Sequence, residues 1–151
     1  MNESMSDDDP GGHTAVLISN RQPAPIDEAA LAALARRTLA GEGVGAAELS
    51  VSFVDETEIA DLHVRYLGEP GPTDVLSFPL DEEEEHGVRI LGDVVIAPSV
   101  AARNHPDDPE AELRLLLVHG ILHLLGYDHE EDAEKAAMWA RQEGYSGVPT
   151  P

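Results

Sequence analysis

The fold of this chain is decided by residues 118–129, which read V-H-G-I-L-H-L-L-G-Y-D-H. His119 and His123 are four residues apart, so on a helix they lie on one face, about 40° from each other. Gly126 can end that helix, because glycine readily adopts the left-handed conformation found at helix C-termini. His129 follows the turn at a position from which it can come back beside the other two rings. This spacing predicts that three imidazoles meet.

Three imidazoles without an obvious fourth protein ligand are typical of a catalytic zinc site, in which the fourth position stays open for water. The chain has no cysteine, which excludes disulfides, thiolate metal sites and a cysteine nucleophile. An unpartnered buried polar group costs about 1–3 kcal/mol, so two histidines on an apolar helix require a partner. We therefore predict one Zn²⁺ held by His119, His123 and His129, although nickel, copper and iron also accept imidazole ligands.

The spacing H-x3-H-x5-H is also that of metzincin proteases, which place a glutamate directly after the first histidine as the general base. Here that position is Gly120, so a peptide hydrolase of this kind would lack its base. Gly120 instead favours close packing of the helix. Asp128, next to His129, is a candidate catalytic carboxylate, and the alternative is that it caps the next helix.

The helix that carries the motif is the most apolar in the chain. Asp108-Pro109-Glu110 predicts its N-terminus, and the helix should continue to about Leu125. From Leu113 onward it is apolar nearly all round, which is typical of a central, buried helix. The most apolar stretch, 115–125, is shorter than the ~20 residues that a membrane helix needs. We therefore expect no membrane association.

Short strands and helices alternate in the rest of the chain. Strands are predicted at 14–19, 49–54, 73–80 and 88–97, with the acidic run 81–85 as the hairpin loop between the last two. Further helices are predicted at 26–39, from Asp55 to about Leu67, at 98–104 and at 130–143, where Gly144 follows. The pattern predicts an α+β fold in which a small sheet with one hairpin packs against about five helices. This single metal-dependent hydrolase domain should span 13–146, between a disordered acidic tail at 1–12 and a loose C-terminus at 147–151.

Charge limits the functions that this chain can have. Nine Lys and Arg against thirty Asp and Glu give a net charge of −21. An acidic surface repels phosphate, so any nucleic-acid function must come from a local site or from a partner that supplies positive charge. Three neutral histidines around Zn²⁺ leave a local charge of +2, which attracts phosphate. The N-terminus has no secretory signal pattern, which fits a cytoplasmic protein.

Two further blocks precede the histidine motif. They are Pro72-Thr73-Asp74-Val75-Leu76-Ser77-Phe78 and Leu91-Gly92-Asp93-Val94-Val95. Together with HGILHLLGYDH, and in this order, they closely resemble the YbeY family of single-strand endoribonucleases and rRNA-maturation factors. The resemblance extends from about Thr14 to Glu143.

The resemblance implies an α+β fold with a small mixed sheet, zinc held by the three histidines, and metal-dependent cleavage of RNA phosphodiesters. It also implies maturation of ribosomal RNA at the small-subunit 3′ end, ribosome quality control and a cytoplasmic location. The implied partners are ribosomal RNA, small-subunit ribosomal proteins and an Era-like GTPase. We expect RNA to run in a cleft between the hairpin and the zinc helix, where Thr73, Asp74 and Ser77 either contact it or only fix the turn.

One position departs from the family pattern. Many members carry an arginine directly after the aromatic residue of the helix before the TDVLSF strand, and here Leu67 follows Tyr66. Arg65, one place before Tyr66, is the candidate catalytic substitute, although it lies on a different side of the helix. Leu67 and the net charge of −21 favour an alternative function, a ribosome-assembly factor with structural zinc and little catalysis of its own.

Overall fold

The computed structural model describes residues 14–83 and 87–149, so the predicted tail at 1–12 lies outside the described residues. The elements are β1 (Thr14–Asn20), α1 (Glu28–Gly41), β2 (Ala47–Phe53), α2 (Glu56–Leu67), β3 (Val75–Glu83), β4 (Arg89–Ile96), α3 (Pro98–Asn104), α4 (Pro109–Leu124) and α5 (Asp132–Ser146). This arrangement confirms the predicted α+β class, the hairpin and the five helices.

Capping aspartates set the starts of three helices. Asp27, Asp55 and Asp108 each accept a hydrogen bond from the backbone N–H three residues further on, at 2.8–3.1 Å. Such a bond satisfies one of the N–H groups that have no partner within the helix. Pro109 then occupies the first position of α4, where its missing N–H costs nothing. The start of the histidine helix is therefore fixed by local sequence.

The four strands form one mixed sheet in the order β1-β2-β4-β3. The pairs β1–β2 and β2–β4 are parallel, and β3 runs antiparallel to β4 at one edge. Gly92 in β4 has φ +132°, and a Cβ on it would lie 2.2 Å from the carbonyl oxygen of Phe78. The register of β4 shifts between Ile90 and Gly92, both in its pairing with β2 and in its pairing with β3. Gly92 therefore lies at a bulge where β3 approaches too closely for a side chain.

The core has two parts, one on each face of the sheet. The larger part lies between the sheet and helices α1, α4 and α5 and includes Leu34, Phe53, Leu117, Ile121 and Met138. The smaller part lies on the other face and includes Val54, Ile59, Leu76, Val95 and Val100. Helix α4 thus lies between the sheet and α5, and its polar residues need partners supplied by those neighbours.

Two predicted boundaries are wrong. The run 81–85 was expected to be a hairpin loop, but β3 continues to Glu83, and positions 82 and 83 pair with Ile90 and Arg89. Backbone pairing with β4 outweighs the acidic composition there. Helix α5 does not end before Gly144 but at Ser146, where Gly147 forms the left-handed cap with φ +72°.

The C-terminal segment, predicted to be loose at 147–151, is described as far as residue 149. Within it, Val148 is buried, and its N–H donates a hydrogen bond to Ser146 Oγ at 3.1 Å. Residues 150–151 lie outside the described part of the chain.

Candidate metal centre

Helix α4 presents the first two histidines of the motif on one face. The ring centroids of His119 and His123 are 4.6 Å apart, and both side chains are half-buried. The helix periodicity alone explains this pairing, since residues four apart are neighbours on a helix surface.

A C-terminal helix cap brings the third histidine back to this face. The N–H of Tyr127 donates to the carbonyl of Leu122, and the N–H of Gly126 donates to the carbonyl of His123, both at 3.0 Å. This is the Schellman pattern, and it requires the left-handed conformation that Gly126 adopts with φ +102°. The chain reverses there and places the ring of His129 5.1 Å from that of His123.

The three rings converge on one point. One ring nitrogen from each of His119, His123 and His129 lies within 4.8 Å of the other two. His129 is the most exposed of the three, so solvent reaches the site from its side. Three imidazole nitrogens in this arrangement can hold one metal ion and leave a coordination position open.

Gln142 of α5 orients the first of these rings. Its Oε1 accepts a hydrogen bond from Nδ1–H of His119 at 2.8 Å, and the residue is only 2% exposed. Because a carbonyl oxygen only accepts, the proton must be on Nδ1, which leaves the Nε2 lone pair of His119 available for a metal. Metal-binding histidines usually donate their other ring N–H in this way. No spacing in the sequence relates Gln142 to the histidine motif, because the two lie on different helices.

Burial keeps the two helix histidines in the form that binds metals. Desolvation lowers the pKa of His119 below its ordinary value, although the hydrogen bond with Gln142 acts in the opposite direction. Desolvation also lowers the pKa of His123, and the neighbouring rings of His119 and His129 lower it further. Both rings are therefore neutral at pH 7, and a metal ion does not have to displace their protons.

Glu42, at the end of α1, fixes the turn that carries His129. Its carboxylate accepts hydrogen bonds from the hydroxyls of Tyr127 at 2.7 Å and Tyr145 at 2.5 Å. Arg141 also donates to it at 3.2 Å, and the Glu42 side chain is 7% exposed. Burial alone would raise the pKa of Glu42, but these three donors lower it below its ordinary value. Glu42 thus joins α1, the histidine turn and α5 as a charged acceptor.

Gly120 allows α4 to lie directly on the sheet. A Cβ at this position would be 2.7 Å from Cγ1 of Val94 and 3.2 Å from Oγ of Ser77. The hydroxyl of Ser77 donates to the Gly120 carbonyl at 3.0 Å. This geometry confirms the close packing predicted for Gly120. It also shows that the general-base glutamate of a metzincin would point into the sheet here.

Two cavities border the histidine cluster. One, of about 320 Å³, is lined by Leu67, Val75, Leu76, Ser77, Pro79, His119 and His123. The other, of about 330 Å³, is lined by residues that include Asp74, Glu112, His119, Trp139 and Gln142. Burial and the nearby charge of Asp74 raise the pKa of Glu112. The first cavity lies where we expected a cleft between the hairpin and the histidine helix.

The two other candidate catalytic residues have local partners. Arg65 is an exposed residue in the last turn of α2, and its guanidinium donates to Asp61 at 2.7 Å. Asp128 accepts a hydrogen bond from the backbone N–H of His129 at 2.7 Å, so it supports the conformation of the turn. Leu67, at the position of the family arginine, lines the cavity beside His119. The catalytic roles of Arg65 and Asp128 stay predictions.

The sequence model of the Endoribonuclease YbeY family matches residues 17–146, which include every residue of this site. The chain belongs to this family. A relative from Beutenbergia cavernae, named Endoribonuclease YbeY, is 50% identical over 83% of this chain and 90% of its own length. A relative of the same name from Thermobifida fusca is 51% identical over 85% of this chain and 89% of its own length. The resemblance drawn from the three sequence blocks is confirmed, and so is the predicted class of enzyme, a nuclease that acts on RNA.

The fold is shared with a solved structure. The solution structure of a protein from Thermotoga maritima matches with a TM-score of 0.56 and 30% sequence identity, over 89% of this chain and 87% of that one. Within the described residues, no helix has both the length and the apolar character needed to cross a bilayer.

Proposed function

We propose that this chain is a zinc-dependent endoribonuclease that cleaves single-stranded RNA. Its roles would be maturation of the 3′ end of small-subunit ribosomal RNA and ribosome quality control, in the cytoplasm. The observation that carries the proposal is the convergence of His119, His123 and His129 in a chain that belongs to an endoribonuclease family.

The donor set fits zinc. Imidazole nitrogens suit Zn²⁺, and three protein ligands with an open position are the arrangement of catalytic rather than structural zinc sites. The buried amide of Gln142 supports this assignment, because it holds the ring of His119 in the tautomer that a metal requires.

Each residue of the site has a role in this mechanism. When bound, zinc supplies positive charge that polarises a phosphoryl oxygen and favours deprotonation of water. His119, His123 and His129 would hold the ion, and Gln142 and Glu42 fix the ring and the turn that present them. The cavity walls formed by Leu67, Val75 and Pro79 exclude water from one side of the scissile phosphate. Arg65 and Asp128 are the further residues that we propose to assist.

The proposed partners follow from the charge of the protein. Ribosomal RNA is the substrate, and the acidic surface, with a net charge of −21, suits docking on basic small-subunit ribosomal proteins. An Era-like GTPase is the third proposed partner. These partners would supply the positive charge that brings an acidic enzyme to RNA.

The test combines elemental analysis of purified protein with a cleavage assay on single-stranded and duplex RNA. We expect one zinc per chain and cleavage of the single strand alone. His123→Ala should lose both zinc and activity, whereas His105→Ala, a histidine just after α3, should keep both. Circular dichroism checks that each variant is folded. A folded, metal-free His123→Ala protein that cleaves RNA at the wild-type rate would contradict the mechanism.

The second candidate function is a ribosome-assembly factor with structural zinc. It is favoured by Leu67, which gives the cavity wall an apolar side chain where many family members have an arginine. The two functions differ in a complementation experiment. If His123→Ala restores rRNA maturation in cells that lack the wild-type protein, the assembly role is supported and the enzymatic role is not.

A further inference from the structure

Exposed apolar side chains are concentrated on one side of the metal centre. Among the described residues, five large apolar side chains are at least half exposed. Four of them belong to the second half of α2 or to β3: Val64 at 50%, Tyr66 at 60%, Leu67 at 56% and Leu80 at 52%. The fifth, Leu17 at 52%, lies on β1 at the opposite edge of the sheet. We call Tyr66, Leu67 and Leu80 the apolar ridge.

The apolar ridge is continuous with the histidine cluster. Leu67 lines the same cavity as His119 and His123. The ring of Tyr66 packs edge-on against Phe78, with centroids 5.5 Å apart, so this exposed ring is held in place. Leu80 follows Phe78 by two residues along β3, at the start of the irregular part of this edge strand. An RNA strand that places one phosphate at the three histidines therefore has the apolar ridge beside it.

Phosphate contacts are scarce on this side of the site. The cavity that Leu67 lines has no Lys or Arg among its described walls. The neighbouring cavity is lined by the carboxyl groups of Asp74 and Glu112 and by one cation, Lys135. Four of the nine basic side chains, Arg21, Arg65, Arg103 and Arg141, are paired with carboxylates. Lys135 is thus the one cation that the described lining of the two cavities offers to an RNA strand, so the bases must supply part of the affinity.

We propose that the apolar ridge stacks unpaired nucleobases of the RNA whose phosphate lies at the three histidines. This inference rests on the proposed function, because it concerns the substrate strand at that same site. Every base has a π-face that stacks on an aromatic ring such as that of Tyr66, and such binding needs no particular sequence. Bases inside a duplex are already stacked and paired, so a ridge of this kind accepts single strands.

Binding measurements on the full-length protein test this inference. The probe is a short fluorescent single-stranded RNA whose integrity is checked on a gel after each titration. Leu67→Ser and Leu80→Ser should each weaken binding by roughly 3- to 10-fold, because each removes the apolar area that the leucine would bury against a base. Leu17→Ser is the matched control, since Leu17 is as exposed as Leu80 but lies at the far edge, and it should leave affinity unchanged.

Two further arms do not depend on the folding of any variant. An RNA with abasic sites at its centre should bind the wild-type protein as weakly as intact RNA binds Leu67→Ser. The slope of log Kd against log salt concentration should correspond to about one phosphate contact or fewer, where each contact contributes about 0.7. A steep slope together with full affinity for abasic RNA would overturn the inference.

The remaining outcomes separate this inference from its rivals. If sedimentation shows a dimer that Leu80→Ser dissociates without changing RNA affinity, the ridge binds a second copy of the chain and the inference is wrong. If the wild-type protein cleaves single strands and both ridge variants bind RNA normally, the inference about the ridge is also wrong. The proposed function stays intact in that case. Wild-type protein that does not cleave, with binding still lost in both variants, would instead sink the proposed function and support the ridge.

Discussion

His119 takes its ligand tautomer from Gln142, a side chain 23 residues further along the chain. We predict that Gln142→Leu lowers zinc affinity by about 10- to 100-fold, because the ring of His119 loses the acceptor that fixes its Nδ1–H. A competition titration against a chelator measures this. Gln142→Glu keeps an acceptor oxygen at nearly the same position and should retain most of the affinity. Wild-type affinity in the Leu variant would show that the ring is oriented by other contacts.

The three histidines could be predicted from the sequence, whereas their supporting residues could not. His119, His123 and His129 belong to one helix and its cap, so their spacing encodes their convergence. Gln142 and Glu42 come from α5 and from the end of α1, and nothing in their spacing relates them to the motif. Their contacts with the histidines and the turn depend on how α1 and α5 pack, which the spacing of residues does not encode.

Helix α4 depends on glycine for its contact with the sheet. We predict that Gly120→Ala costs about 1–3 kcal/mol of unfolding free energy, since its Cβ would lie 2.7 Å from Val94 and force the helix outward. Gly144→Ala in α5 is the matched control, because its Cβ meets no atom within 4 Å. That change should stabilise the protein by up to about 1 kcal/mol, as alanine favours helix more than glycine does. Urea unfolding measures both, and equal effects would contradict the packing argument.

Element boundaries were predictable where local chemistry determines them. Asp27, Asp55 and Asp108 cap their helices through a backbone N–H only three residues away, so the sequence around each of them contains the signal for the helix start. The extension of β3 to Glu83 was not predictable, since it depends on pairing with β4. Helix α5 passes through Gly144 because Gly147, not Gly144, takes the left-handed conformation that ends it.

The net charge of −21 determines how the whole molecule meets RNA. Long-range attraction to a polyanion is absent, and several cations are already paired, so under the proposed function RNA recognition would depend on short-range contacts at the histidine cluster and the apolar ridge. The same charge favours docking on basic proteins, which would deliver the enzyme to its substrate.

Glu42 ties together parts of the molecule that are far apart in the sequence. Its partners Tyr127, Arg141 and Tyr145 are 85, 99 and 103 residues away. Hydrogen bonds to a charged group contribute roughly 1.5–3 kcal/mol each when they are well shielded, and less for an exposed partner such as Arg141. The overall stability of the protein should therefore respond to the charge of this one carboxylate.

We predict that Glu42→Gln lowers the unfolding free energy at pH 7 by about 1–2 kcal/mol, since an amide accepts hydrogen bonds more weakly than a carboxylate. The folded-state pKa of Glu42 lies below its ordinary value of 4.5. Its charge thus stabilises the fold fully above pH 4.5, and this contribution is lost as the pH falls through the lowered pKa. Chemical denaturation of the wild type and of Glu42→Gln, both treated with a chelator, gives the difference between their unfolding free energies at pH 7 and at pH 4. The effects of the other carboxylates cancel in this difference, which we call the gap. The gap should shrink at the lower pH, and a gap that widens there would show that Glu42 is not held as the charged form.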